Sequence, residues 1–327
     1  MRLCKFTHEG QTQLGIYGEE TIVGLAAGRA AYETATHEKL DLPTSDNILD
    51  FLPPEGKGFA AAKKLAAWVE ANDGKLPNSA EIATQSVQLH VPIPTPRKLF
   101  LLAGNYNEHI QEGGGAATER AETFPYVFMK PPTTTLTDPG KPVVIPKVSP
   151  GAIDWELELA VVIGRKCKGV SESDALNYVA GYTVVNDISN RKFRPNPERK
   201  KREKDAFFDW LHGKWHDSFC PMGPCVTSAD SISDPQGLEM RLLLNSDVRQ
   251  NALDAATDFP GGCGDRVYFE HRHSGAGRRH QHRHAGRRRQ QHGHVCQTGG
   301  RAAREHRGHR HADVAGGRRV TATPSYR

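Results

Sequence analysis

From Asp254 to Arg327 the chain contains not one Leu, Ile or Lys. Packed cores are made mainly of branched aliphatic and aromatic side chains, so a stretch this long without Leu or Ile cannot supply the strands of a sheet. It is crowded instead with 10 of the chain's 16 His, and from Gly261 onward with 15 Arg against four acidic residues. The fold therefore has to be built from what precedes it, and as written the residues after about 258 are expected to be disordered. Charge divides at the same place. Up to Pro260 there are 28 Lys and Arg against 34 Asp and Glu, a net −6, while the tail carries +11. The overall positive charge is thus a property of the tail and gives no ground for reading the body as a nucleic-acid binder.

Residues 1–95 read as a small leading α+β domain. Short alternating strands at Leu3 to Phe6, Thr12 to Tyr17 and Thr21 to Leu25 are followed by helical stretches such as Gly58 to Ala71. Val91-Pro92-Ile93-Pro94-Thr95-Pro96 places proline at every second position, which suits an extended linker and marks a boundary there. Beyond it, over 96–258, apolar runs of strand length recur at Lys98 to Ala103, Tyr126 to Met129, Val143 to Ile145, Leu157 to Ile163, Tyr182 to Val185 and Met240 to Leu244. The clearest helical signal among them is Ser171 to Leu176, opened by a capping-type Ser and early acids. Residues 259–327 form the aberrant His/Arg-rich tail. The first residues lack a continuous apolar segment, and no stretch approaches the roughly 18 to 20 apolar residues of a membrane helix, so a soluble, cytoplasmic protein with no membrane partner is expected. The six cysteines show no CxxC spacing, and neither disulfides nor a zinc knuckle is expected.

Glu156 and Glu158 lie two apart at the start of the apolar run Leu157 to Ile163, so on a strand they point the same way. Burying both requires a cation, and an oxygen-only ligand set suits Mg, Mn or Ca better than zinc. Spacing alone favours the plainer alternative of a solvated strand edge. Asp187 stands just past an apolar run, where ligands and turn-forming Asx residues both occur. His109 and Glu112 are three apart, neighbours on a helix, and could form an oriented base pair or an ordinary surface contact. Lys214, beside Trp215 and His216, could stabilise an enolate or be a surface lysine.

None of these signals is specific singly, but their order is. The succession Gly-Asn-Tyr-x-x-His-x-x-Glu from Gly104, Phe-x-Lys-Pro from Phe128, Glu-x-Glu-Leu from Glu156, Asn-Asp-x-Ser-x-Arg from Asn186 and Lys-x-x-Asp-x-Phe-Cys-Pro-x-Gly-Pro from Lys214 resembles the fumarylacetoacetate hydrolase family. The resemblance runs from about Pro96 to about Arg249, and the leading segment is similar to the short N-terminal domain of bacterial members. It implies a β-rich α+β fold, a mixed β-sandwich roll preceded by a small N-terminal domain, and a homodimer if the C-terminus is intact. It implies Mg2+ or Mn2+ held by Glu156, Glu158 and Asp187, a water activated by His109 and Glu112, and an enolate stabilised by Lys214. Arg191, Lys130 and Tyr106 are expected on the substrate side, Arg191 supporting either metal or substrate. The implied reaction is metal-dependent hydrolytic or lyase cleavage of a C–C bond in a small 2-oxo or 1,3-dicarbonyl acid of acylpyruvate or fumarylacetoacetate type. Isomerases, decarboxylases and ureidoglycolate lyases of the family share the metal site. A non-catalytic protein binding metal or nucleic acid through its His/Arg tail is the reading from another class. The basic run Glu198 to Asp205 departs from the family pattern in the region that shapes substrate choice, and is expected to be solvated surface.

The tail has a second reading. Glu270 to Gly286, back-translated and read one base later, is compatible with S-I-V-T-L-E-P-G-D-V-I-N-T-G-T-P-A, which resembles the family's C-terminal signature. Val295 to Arg301 allows F-x-K-P-G-D-V, and Glu305 to Ala312 allows N-I-E-G-I-G-T-L. Three matches in family order point to a one-base frame error near Asp258, which puts the activity of this exact chain in doubt.

Overall fold

The computed structural model describes residues 1–77, 80–103, 126–253 and 319–320, with the side chains of 252–253 and 319–320 left aside. Strands β1 (Arg2–His8) and β2 (Gln11–Tyr17) form a hairpin closed by Glu9 and Gly10, at φ 48° and 76°. A two-residue turn of this hand matches the twist of the strands, and glycine accepts the second position without a Cβ clash. β3 (Thr21–Gly24) pairs with β2, and Leu25, expected to end that strand, opens helix α1 (Leu25–Thr36) instead. α2 (Phe59–Ala71) packs against α1, with Tyr32 edge-on to Trp68 at 5.5 Å and Leu65 fully buried. β4 (Glu81–Ala83) and β5 (Gln88–His90) complete the leading part.

The rest of the chain is mostly strand. In order come β6 (Phe100–Ala103), β7 (Tyr126–Met129), a helical turn at Pro132–Thr135, β8 (Leu136–Thr137), β9 (Val143–Val144), β10 (Ile153–Asp154) and β11 (Leu157–Ile163). They are followed by β12 (Val179–Asn186), β13 (Ser189–Asn190), α3 (Asp205–His212), β14 (Cys220–Pro221), β15 (Val226–Ser228), β16 (Glu239–Leu244), β17 (Asp247–Leu253) and β18 (Arg319–Val320). The expected helix at Ser171 to Leu176 is a 3-10 segment, Glu172–Tyr178, behind Ser171. β18 pairs with β9; the remainder of the tail, and with it the expectation of disorder there, lies outside the described residues.

The largest sheet has eight strands, ordered β11-β12-β15-β1-β2-β3-β4, with β5 also on β1. It runs across the boundary expected near residue 95. β1 shares one edge between β15 at Arg2 and Leu3 and β5 at Lys5 to Thr7. Gly181 permits the β12–β15 contact, because a Cβ there would lie 2.2 Å from the Thr227 carbonyl oxygen. The core beneath this sheet is likewise shared: Leu3, Leu14, Phe51, Leu52 and Leu65 pack with Ala180 and Val226. Each such aliphatic or aromatic side chain contributes about 1.5–3 kcal/mol by leaving water. The architecture is β-rich α+β, and among the described residues no helix is long and apolar enough to cross a membrane.

Candidate metal centre

Register brings the acidic residues together. β11 and β12 run antiparallel with Leu157 opposite Asn186 and Glu158 opposite Val185. The pairing is prolonged by one step, the Asp187 N–H donating to the Glu156 carbonyl at 2.7 Å, so Glu156 faces Asp187 across the end of the ladder. Cross-strand partners share a face, and so do residues two apart on one strand. Carboxylate oxygens of Glu156, Glu158 and Asp187 consequently lie within 4.8 Å of one another. This is not the solvated strand edge that spacing alone favoured, since Asp187 is 1% exposed and Glu156 is largely covered.

Three cations surround the cluster. α3 ends at Gly213, whose carbonyl accepts from the Asn190 N–H at 2.8 Å, and this docking onto β13 carries Lys214 inward. The Lys214 ammonium donates to Glu156 Oε2 at 2.6 Å, Asp187 Oδ2 at 2.5 Å and Ser189 Oγ at 2.9 Å. It lies 4.9 Å from the Phe128 ring and 5.7 Å from that of Trp210. Arg191 follows β13 and bridges Asp154 Oδ2, at 2.9 Å, to Glu156 Oε1. Lys130, at the end of β7, is fully buried, and its ammonium sits 2.5 Å from Asp187 Oδ1 as a charge contact off the hydrogen-bond direction.

The carboxylates respond differently to this surrounding. Burial alone would raise the pKa of Glu156, but Lys214 and Arg191 outweigh it and hold the group well below the usual carboxylate range. Glu158 is pushed well above that range, first by burial and then by the neighbouring charges of Asp187 and Glu156. Asp187 is also raised, burial exceeding the help of Lys130 and Lys214. Lys214 is held above its ordinary value, since Glu156 and Asp187 more than offset its burial. Among the described residues the Glu158 carboxylate has no hydrogen-bond or ion-pair partner. Carboxylates crowded this closely repel one another, which a bound cation would relieve, and hard oxygen donors suit Mg2+ or Mn2+. The residues present therefore fit a divalent ion, to be held by Glu156, Glu158 and Asp187.

Of the residues singled out from sequence, the structure gathers Glu156, Glu158, Asp187, Lys214, Arg191 and Lys130. Lys130 is fully buried with its ammonium against Asp187, and Arg191 bridges Asp154 and Glu156, so both contact carboxylates around the cluster. His109, Glu112 and Tyr106 lie outside the described residues. Ser189 and Asp154 were missed. Asp154 was legible in the spacing, since Asp154, Glu156 and Glu158 form one alternating acidic series. The basic run before Asp205 is partly tied down, Arg199 binding Asp205 and Asp209 at 3.3 Å and 2.7 Å.

The chain is 37% identical over 221 residues to oxaloacetate tautomerase YisK of Bacillus subtilis, covering 67% of this chain and 69% of that one. It is 34% identical over 220 residues to the mitochondrial oxaloacetate tautomerase fahd2 of Xenopus laevis, covering 65% of this chain and 64% of that one, just under two thirds of the frog protein. Among solved structures it is similar to maleylpyruvate hydrolase of Sphingobium sp. SYK-6 in complex with manganese(II) and pyruvate. That likeness has a TM-score of 0.56 and 26% identity, and covers 82% of this chain and 83% of that one. Residues 98–257 match the model of the fumarylacetoacetate (FAA) hydrolase C-terminal domain, and the chain belongs to the fumarylacetoacetate hydrolase family.

Proposed function

We propose that the protein is a divalent-metal-dependent hydrolase of a small 2-oxo or 1,3-dicarbonyl acid, cleaving an acylpyruvate-like C–C bond, and that it works as a homodimer when its C-terminus is intact. The observation that carries this reading is the Glu156, Glu158 and Asp187 cluster with the Lys214 ammonium inside it. Mg2+ or Mn2+ held there would supply Lewis-acid polarisation of a 2-oxo acid's oxygens. Arg191 fixes Glu156 from outside, so that carboxylate keeps its orientation when a ligand arrives. Lys214, flanked by Phe128 and Trp210, is a dry cation beside the position where negative charge develops on an enolate oxygen. His109, oriented by Glu112, would take a proton from water as it adds to the distal carbonyl. The C–C bond then breaks with its electron pair moving to the enolate. Protonation at carbon completes the 2-oxo acid, and the acyl part leaves as a carboxylic acid.

A second reading is favoured by the names of the two relatives above: tautomerisation of a 2-oxo diacid, which needs enolate stabilisation but no water addition. One assay separates them. An acylpyruvate and oxaloacetate are each incubated with the protein and Mn2+ or Mg2+, following carboxylic-acid release and the enol absorbance. Acid release that disappears with EDTA supports hydrolysis. Loss of enol absorbance without release supports tautomerisation, and metal-independent turnover of either compound would defeat the metal reading.

A further inference from the structure

We propose that Lys130 is a positioning residue of the metal centre, which holds the Asp187 carboxylate in its orientation beside Glu156 and Glu158. The inference rests on the metal reading above. Asp187 lies one step beyond β12, inside a tight turn in which the Ile188 N–H donates to the Asn186 carbonyl at 2.9 Å. The pleat of the strand no longer sets its side chain, so something else must. Two ammonium groups do, one on each oxygen: Lys214 at Oδ2 and Lys130 at Oδ1, each at 2.5 Å. The two are not equivalent. Lys214 stands among Glu156, Ser189 and Asp187 on the side where an ion would enter, so ion and ammonium compete for the same oxygens. Lys130 stands behind the carboxylate. Its ammonium donates to the Ile188 carbonyl at 2.8 Å and the Phe219 carbonyl at 2.5 Å, so two backbone acceptors anchor it beside Asp187 Oδ1. With no exposed surface, it is not available to a substrate. What it does instead is join the end of β7, the Asp187–Ile188 turn and the segment entering β14 around one carboxylate oxygen. It stays in place whichever cation occupies the other oxygen.

The sign of the effect distinguishes this role from charge alone. Lys130 is a cation close to a metal-binding carboxylate, so by Coulomb's law its removal should tighten the binding of a divalent ion. If it positions Asp187, removal should weaken that binding, because one of three ligands loses its orientation. The experiment is a Mn2+ titration of the full chain followed by electron paramagnetic resonance of free Mn2+, comparing the unaltered protein with Lys130→Met and Lys130→Gln. Glutamine keeps an amide donor for the buried carbonyls, so it preserves a folded variant if methionine does not; folding is checked by circular dichroism and only folded protein is titrated. The expected result is Mn2+ affinity at least 10-fold weaker in the folded variants. Equal or tighter affinity in either variant overturns the proposal while leaving the metal site intact. Failure of the unaltered protein to bind Mn2+ overturns the metal reading and this inference with it.

Discussion

Replacing Glu158 by glutamine should make the metal-free protein more stable and the metal-loaded protein less so. The three carboxylates lie within 4.8 Å of one another. At that spacing each like-charge pair repels by about 3.5 kcal/mol at an effective dielectric of about 20. Glu158 faces two such neighbours, Asp187 and Glu156, and Lys214 and Lys130 offset only part of the repulsion. If ionised it bears that repulsion, and if protonated the raised pKa is itself the cost. Glu158→Gln removes either cost at pH 7, leaving a gain of about 1–3 kcal/mol after the burial of an amide is subtracted. For a chain of this size that corresponds to a rise in Tm of roughly 2–4 °C per kcal/mol in EDTA. Mn2+ at about 100 times its Kd should stabilise the unaltered protein by about 2.7 kcal/mol and the variant hardly at all. The two melting curves should therefore exchange order between EDTA and Mn2+, which differential scanning fluorimetry reads directly. An equal Mn2+ shift in both proteins would refute the ligand assignment, and a lower Tm for the variant in EDTA would refute the electrostatic argument.

Other substitutions test the remaining parts. Lys214→Met should cost about 3–5 kcal/mol of stability in EDTA by removing the buried ammonium that Glu156 and Asp187 share, yet tighten Mn2+ binding and lower kcat at least about 100-fold; calorimetry and steady-state kinetics together would show this. His109→Ala should reduce turnover by about two to four orders of magnitude with Mn2+ affinity unchanged, and a matching loss of Mn2+ would make His109 a ligand instead. Burial pushes the Cys220 and Cys225 thiols up to about 12. Unfolded thiols ionise near 8.5, so these two favour the folded state at neutral pH and lose that contribution as pH rises toward 12. Iodoacetamide at pH 8 should accordingly spare both in the native protein and modify both in denaturant, as mass spectrometry of digests would report.

The strands were legible wherever the apolar run was bounded on both sides. Tyr126–Met129 and Leu157–Ile163 have the bounds that their sequences imply. α3 was not legible because the preceding residues 198–204 are charged, and the helix is identified by its contacts instead: Trp210 on Phe128 at 5.2 Å and Arg199 on Asp209. At the site, Glu156 and Glu158 could be paired from their spacing, but that Asp187 joins them depends on the register of β11 against β12, a long-range property no local pattern encodes. The same limit explains Lys130. From sequence, Lys130 is singled out only by the family resemblance, and only the folding of β7 against the Asp187–Ile188 turn sets its ammonium on two buried carbonyls beside the Asp187 carboxylate.

The last prediction concerns the tail, and we propose that it is translated out of frame. Two independent observations meet at one place. The family match ends at residue 257, and from Asp254 onward the written sequence has no Leu, Ile or Lys while the frame one base away reads S-I-V-T-L-E-P-G-D-V-I-N-T-G-T-P-A from Glu270. The fold supplies a physical reason to expect further strands. A cleft walled by Leu157, Val184, Met222 and Leu242, and lined also by Asp138, Lys141 and Arg241, opens beside the β16–β17 hairpin. Apolar walls of this kind are normally covered by another strand, and the alternating I-V-T-L and V-I-N-T segments have the composition for it, whereas the written residues do not. Glu156, Glu158, Asp187 and Lys214 all precede residue 258, so the chain as written should still bind Mn2+. Its turnover should be at least about 100-fold below that of a chain restored to the other frame, since the wall that orients substrate would be missing. The written chain should also bind a hydrophobic dye such as ANS that the restored chain does not. Resequencing the source DNA should reveal one base inserted or missing near the codon of Asp258. Equal turnover and equal dye binding by the two chains would refute the frame reading and mean that the His/Arg tail closes the fold by itself.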